Sequence, residues 1–240
     1  MKVYWVRDPA ELAHRAAAQL AAKLAGRERL VVAVPSGRTP LGLYAELRAA
    51  HAAGRLDTGP LRLFALDEYL GFGRDDPESF AAYFRRELEV PLALGPGQLR
   101  VLDGTAADPA ADIRDHEAAI EALGGLDLAI LGIGSNGHVA FNEPGSDWHG
   151  RGRTVELAPA TVAALAGFFR GRSAPTRGVT MGLALLRRAQ SVLLLVEGAS
   201  KAAALNRLLS GAESTDWPVT AFADHPDLVV IATPELKDRP

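Results

Sequence analysis

The chain has 240 residues, no cysteine and a net charge of −3, with 48% hydrophobic and 23% charged residues, the proportions of an ordinary globular protein. Its 26 basic residues form no stripe and no aromatic ladder, which argues against nucleic acid as a partner, and no apolar run nears the roughly 20 residues that span a bilayer. The opening MKVYWVRDPAEL turns polar by Arg7 and Asp8, too soon for a signal peptide, and the lack of disulfides suits a reducing, cytoplasmic setting.

Asp8-Pro9-Ala10-Glu11 reads as an N-cap, a proline at the first helical position and an early carboxylate, so a helix is expected to about Ala25. Leu30 to Val34 is a continuous apolar run of buried-strand type, followed by Pro35-Ser36-Gly37-Arg38-Thr39-Pro40 and a helix over Leu41 to His51. A second strand is expected over Leu61 to Leu66, ending at Asp67, then a helix near Ser79 to Leu88 and another over Ala107 to Leu123. Leu126 to Leu131 reads as a strand before a glycine-rich turn, and Ala158 to Phe169 as a helix. Val179 to Leu186 fits either a strand end or a helix; Ser191 to Val196 is a strand, Ser200 to Leu209 a helix and Leu228 to Ala232 a last strand. Arginine outnumbers lysine 22 to 4, and alanine and leucine are abundant, a bias that leaves the Ala-rich helices with little functional content.

Strands alternating with helices make parallel β-α-β units, a sheet covered on both faces and, with no linker or repeat, one domain over residues 1–240. In such sheets ligands bind beyond the carboxyl ends of the strands. The loops after Val34, Leu66, Leu131 and Val196 all leave such ends, and they hold nearly every chemically suggestive residue.

Ser36-Gly37-Arg38-Thr39 opens a helix, whose N-terminus offers free N–H groups to an anion; it suits a phosphate, or else a plain turn capped by Thr39. It is neither a P-loop nor a dinucleotide fingerprint. Asp67-Glu68-Tyr69 supplies two carboxylates for base or metal chemistry, or a solvated acidic turn. The third loop, Gly132 to Pro144 (GIGSNGHVAFNEP), sets His138 five residues before Glu143. A histidine oriented by a carboxylate moves protons near neutral pH. The spacing is not that of a zinc-protease helix and no cysteine is available, so the reading is acid/base work without a metal. The fourth loop puts Lys201 in the first turn of a helix, where a cation opposes the dipole unless an anion binds; the alternative is an exposed lysine.

PSGRTPLGLY, FALDEYLGF with DDPESF, LGIGSNGHVAFNEPGS and EGASK, in this order, resemble the glucosamine-6-phosphate deaminase family over roughly residues 30 to 235. The related 6-phosphogluconolactonases share the glycine-rich histidine loop but usually lack the glutamate, and typically carry DER where this chain has Asp67-Glu68-Tyr69. The resemblance implies a Rossmann-like three-layer α/β sandwich with a mostly parallel sheet. It implies conversion of glucosamine 6-phosphate and water to fructose 6-phosphate and ammonia, in amino-sugar catabolism and with no cofactor. It casts Asp67 as the enolisation base and His138 as the ring-opening residue, supported by Glu143. Where some members have Asp two residues before the histidine this chain has Asn136, whose amide can orient His138 by hydrogen bonding but cannot stabilise an imidazolium as a charge. Ser36, Gly37, Arg38, Thr39, Gly134 and Lys201 fall in the substrate and phosphate site.

The family's phosphate arginine precedes a Phe-Phe pair; here Gly167 does, so Arg170 or Arg172 is expected to replace it. The arginine of the allosteric phosphate site is matched by Arg153, but Val155 stands where its lysine belongs, so a monomer or small homo-oligomer without activation by N-acetylglucosamine 6-phosphate is expected. A galactosamine-6-phosphate deaminase, a 6-phosphogluconolactonase and a non-catalytic sugar-phosphate sensor are the other readings.

Overall fold

The computed structural model describes residues 1–169 and 171–237. In chain order the elements are β1 (Lys2–Trp5), α1 (Pro9–Leu24), β2 (Leu30–Val34), α2 (Pro40–Ala52), β3 (Leu61–Ala65), β4 (Asp67–Tyr69) and α3 (Phe80–Phe84), which runs into a π-helical turn over Arg85–Glu89. Then come β5 (Leu99–Arg100), α4 (Pro109–Ala122), β6 (Leu128–Gly132), β7 (Arg153–Glu156), α5 (Pro159–Leu165), β8 (Arg177–Thr180), α6 (Leu183–Leu186), β9 (Ser191–Val196), α7 (Ala202–Leu209) and β10 (Leu228–Ala232).

Seven strands form one parallel sheet in the order β1-β10-β9-β6-β2-β3-β5, with Leu30 facing Leu61 and Ala129 facing Val192. Each central strand is apolar on both faces, and the pleat sorts its residues. Leu30, Val32, Val34, Leu128, Ile130, Leu193, Leu195, Val229 and Ile231 pack under α1 and α2, against Leu12, Leu20, Leu43 and Tyr44. Val31, Ala33, Ala129, Leu131, Val192, Leu194, Val230 and Ala232 pack on the other face, against Ile113 and Ile120 of α4 and Leu205 and Leu208 of α7. The result is the expected three-layer α/β sandwich.

The helix signals act as read. The Asp8 carboxylate accepts from Glu11 N at 2.8 Å, and Asp108 and Ser79 cap α4 and α3 in the same way. Between β2 and β6 the strand order reverses, and the crevice beyond the carboxyl ends there is where such a sheet holds ligands.

Three expectations need correction. Ala158 to Phe169 is helical only over Pro159–Leu165. Val179 to Leu186 is both alternatives in turn, the end of β8 and then α6. Asp67-Glu68-Tyr69 is a strand rather than a loop: β4 leaves the main sheet and pairs antiparallel with β8, which pairs with β7, so Thr180 faces Asp67 on one side and Arg153 on the other.

Candidate active site

The four loops leave β2, β3, β6 and β9, four neighbouring strands of the main sheet. After β2, Gly37 takes φ +97°, in the left-handed region open to glycine. The backbone N–H groups of residues 36–39 donate to no acceptor among the described residues. Thr39 already has helical dihedrals and its hydroxyl makes no cap bond, so the capped-turn alternative is not what forms. The loop's carbonyls are held instead: Tyr44 Oη donates to Pro35 O at 2.6 Å and Tyr83 Oη to Gly37 O at 2.8 Å.

Lys201 ends a 3-10 turn over Ala199–Lys201, just before α7 rather than inside it. Burial draws its ammonium below the usual lysine value and the Arg38 guanidinium adds to this, so two cations face one region. Neither has a carboxylate partner among the described residues, and Arg38 lies 5.6 Å from the ring centre of exposed Phe168. Free N–H groups beside two unneutralised cations are an arrangement suited to an anion.

The adjacent carboxylates of β4 have opposite fates. Glu68 is saturated: it accepts from Tyr69 N at 2.9 Å, Phe80 N at 3.0 Å and Ala81 N at 2.8 Å, pinning the start of α3 to β4. Burial pushes its carboxyl up to about 7 against those three bonds. Asp67 is 6% exposed and its Oδ1 has no hydrogen-bond partner. Burial first and the Glu68 charge second hold the Asp67 carboxyl well above the ordinary range. A buried, unpaired carboxylate of raised proton affinity is an unusual thing to keep in a core and a suitable general base.

His138 follows the glycine-rich turn after β6. Gly134 lies flat against its ring: a Cβ there would come within 2.3 Å of the imidazole, so the missing side chain is what admits the ring. His138 Nδ1 is 3.4 Å from Glu143 Oε2 and 3.3 Å from Thr161 Oγ1, which leaves Nε2 for a substrate. Glu143 also accepts from Asn136 Nδ2 at 2.9 Å and from Ala158 N at 3.2 Å. Burial pushes its carboxyl up, but His138, Thr161 and Asn136 together outweigh that and bring it down to about 2. Asn136 thus reaches His138 through Glu143 and through the backbone, its Oδ1 accepting from His138 N at 3.2 Å, rather than through the ring.

The loop that carries Glu143 is braced from behind. Ala140 takes φ +50° without being glycine, and Phe141 N donates to Thr180 Oγ1 at 3.2 Å, which ties the loop to the strand facing Asp67. Asn142 Nδ2 donates to Met181 O at 2.9 Å, and Arg153 donates to Asn142 Oδ1 and Ser146 Oγ, both at 2.9 Å.

Of the arginines expected to replace the missing phosphate ligand, Arg172 is engaged elsewhere. It holds Asp76 at 2.6 Å and Glu78 at 2.5 Å and lies 4.1 Å over the Phe72 ring, so its guanidinium is already neutralised by two carboxylates. Arg170 lies outside the described residues. Thr161 and Tyr83, which touch the two halves of the site, carry no sequence signal: each comes from another element and is known only by its contact.

An α/β sandwich that gathers an anion loop, an unpaired buried carboxylate and an oriented histidine beyond its strand ends is built as an acid–base enzyme for an anionic substrate. The chain belongs to the family of glucosamine-6-phosphate isomerases/6-phosphogluconolactonase, which it matches over residues 7–230. It is 39% identical to the glucosamine-6-phosphate deaminase of Beutenbergia cavernae, covering all of this chain and 92% of that one. It is 42% identical to the deaminase of Cutibacterium acnes, over 91% and 84% of the two chains. The solved structure of a monomeric glucosamine-6-phosphate deaminase superposes with a TM-score of 0.94 at 33% identity, over 98% of both chains. A 6-phosphogluconolactonase from Trypanosoma cruzi shares the fold at a TM-score of 0.80, with 22% identity over 99% of this chain and 96% of that one.

Proposed function

We propose that the chain is a glucosamine-6-phosphate deaminase, converting glucosamine 6-phosphate and water to fructose 6-phosphate and ammonia. One observation carries the reading: the unpaired buried carboxylate of Asp67 follows β3, at the same end of the sheet as the free N–H groups after β2 and the oriented His138 after β6. The full-length deaminase relatives support it, and the lactonases stand further off.

In this reading the phosphate sits on the N–H groups of residues 36–39 with Arg38 and Lys201, and its anchoring fixes the sugar over the catalytic groups. His138 Nε2 takes the proton from O1 and delivers it to the ring oxygen, opening the pyranose; Glu143 holds the ring and stabilises it when charged. Asp67 then removes the C2 proton while the substrate's ammonium group gives one proton to the aldehyde oxygen, leaving an enolamine with a neutral amine at C2. The same carboxyl returns the proton to C1, leaving an iminium at C2. Water adds there and ammonia departs as the ketose forms. The absence of hydrogen bonds at Asp67 Oδ1 suits this step, since each bond to the carboxylate would lower its basicity. No step needs a redox or electron-sink cofactor.

The first and last strands, β1 and β10, pair within the seven-stranded sheet, which supports a single domain over the chain. The near superposition on a monomeric deaminase supports a monomer, tested by light scattering. Among the described residues no helix is long and apolar enough to cross a membrane, and we place the enzyme in the cytoplasm. Ammonia release measured over glucosamine, galactosamine and mannosamine 6-phosphates, with lactone hydrolysis alongside, tests the proposal. Turnover of glucosamine 6-phosphate is expected; lactone hydrolysis without ammonia release would refute it.

A further inference from the structure

We propose that Tyr83 is a positioning residue that aims the N–H groups of the anion loop; this rests on reading residues 36–39 as the phosphate site. A trans peptide points its C=O and the next N–H to opposite sides, and the chain has no cis peptide among the described residues. Holding the Gly37 carbonyl therefore fixes the Arg38 N–H to point the opposite way within the same peptide plane. Tyr83 Oη does this at 2.8 Å, and Tyr44 Oη, buried at 2.6 Å from Pro35 O, does the same for the Ser36 N–H. Glycine at position 37 leaves that peptide free to rotate, so an external restraint has something to decide. With both carbonyls taken by phenols, the N–H groups are presented to the anion at no cost of reorganisation when it binds.

Tyr83 also connects the two ends of the site. It stands in α3, whose first N–H groups are held by Glu68 through Phe80 N and Ala81 N. Glu68 is bonded to Tyr69 N and follows Asp67 directly, so the path from Asp67 to Gly37 O runs through one saturated carboxylate, one turn of helix and one phenol. A short strut of this kind sets the distance between the carboxylate and the phosphate loop. The substrate has the same two fixed points, its C2 and its phosphate.

The Tyr83 ring packs edge-on against Phe84 at 5.3 Å and Tyr44 at 6.3 Å, contacts that phenylalanine keeps, so Tyr83→Phe removes the hydroxyl alone. The test compares this variant with wild type for KM and kcat on glucosamine 6-phosphate, for competitive inhibition by inorganic phosphate and by unphosphorylated glucosamine, and for Tm. The expected result is a rise of about 2- to 10-fold in KM and in the phosphate inhibition constant, the worth of one net hydrogen bond. The glucosamine constant should not move, and kcat should fall less than KM rises. Tyr44→Phe should act in the same direction. An unchanged phosphate constant overturns the proposal, whether or not Tm falls, and so does an equal loss for both inhibitors. Wild type that ignores inorganic phosphate and the sugar's phosphate group would instead overturn the phosphate-site reading, and this proposal with it.

Discussion

Asp67 and Glu68 are neighbours on one three-residue strand, equally acidic by type and both buried, yet one is bonded three times and the other leaves an oxygen bare. The difference divides the whole site. Glu68, Glu143, Arg153 and Arg172 spend their polar atoms on the protein and hold loops in place. Asp67 Oδ1, the N–H groups of residues 36–39 and the Lys201 ammonium are left without protein partners among the described residues. A folded chain tolerates few such groups, because each costs about 1–3 kcal/mol when buried. Asp67 Oδ1 is one such buried group, as are His116 Nδ1 and Trp148 Nε1 elsewhere among the described residues, whereas Gly37 and Arg38 are exposed and their N–H groups are open to solvent or a ligand.

The sharpest way to break this division is Asp67→Asn. Loss of the base should lower kcat by roughly 10²- to 10⁴-fold with affinity for the sugar phosphate nearly intact, read by steady-state kinetics and direct binding. The same variant should gain stability. An acid whose folded value lies above its unfolded one holds its proton more tightly when folded, so stability declines as pH rises from the ordinary carboxylate range through the folded value. Asparagine carries no such burden, so its Tm at pH 7 should exceed that of wild type, and the gap should close as pH falls. A less stable, still active variant would remove Asp67 from the base role.

Next in size comes Lys201→Ala. It should weaken phosphorylated sugar by roughly 10- to 100-fold and leave unphosphorylated glucosamine almost unaffected. Equal losses would take Lys201 out of the anion site.

On the saturated side, Glu143→Gln should slow turnover by roughly 10- to 100-fold, the scale of a partner that orients a functional group. Its carboxyl is brought down to about 2 in the fold, so the stability it contributes is complete above about pH 4.5 and is lost as pH falls toward about 2. The Tm difference between wild type and variant should vanish over that window. Glu68→Gln removes a negative neighbour of Asp67, so the acid limb of the kcat/KM profile should move to lower pH; its amide oxygen can keep the bonds from Tyr69 N and Phe80 N, while its amide nitrogen cannot accept from Ala81 N. A limb that stays or moves up would mean that Glu68 does not raise Asp67.

The smallest effect belongs to Arg172→Ala. With Asp76 and Glu78 as its partners, it should change affinity for the phosphorylated sugar by no more than about 2-fold, against the large loss at Lys201. A loss matching Lys201 would return Arg172 to the phosphate site.

Much of this was legible from sequence where one segment carries its own signal. LVVAV, SVLLLV and LVVIA are apolar on both faces, so β2, β9 and β10 read as buried parallel strands, and Asp8-Pro9 announces α1. The second sheet was not legible. DEY, RTVE and RGVT are short and charged, and only pairing makes them strands. Which of Asp67 and Glu68 stays free was equally hidden, since the partners of Glu68 are backbone N–H groups that any residue supplies. Arg172 and Thr161 were hidden for the opposite reason: their partners lie on other elements, Glu78 for one and His138 for the other.

The edge strand β1 has a consequence for how the chain is made. Lys2 faces Val229 and Trp5 faces Ala232, and β1 has no other neighbour in the sheet. Among the described residues β1 therefore has no strand to pair with until β10 has been synthesised. A nascent chain can build the β2-β3 side early, but it carries β1 unpaired until β10 emerges. The exposed charge of Lys2 on this edge strand works against pairing of the waiting segment with other chains.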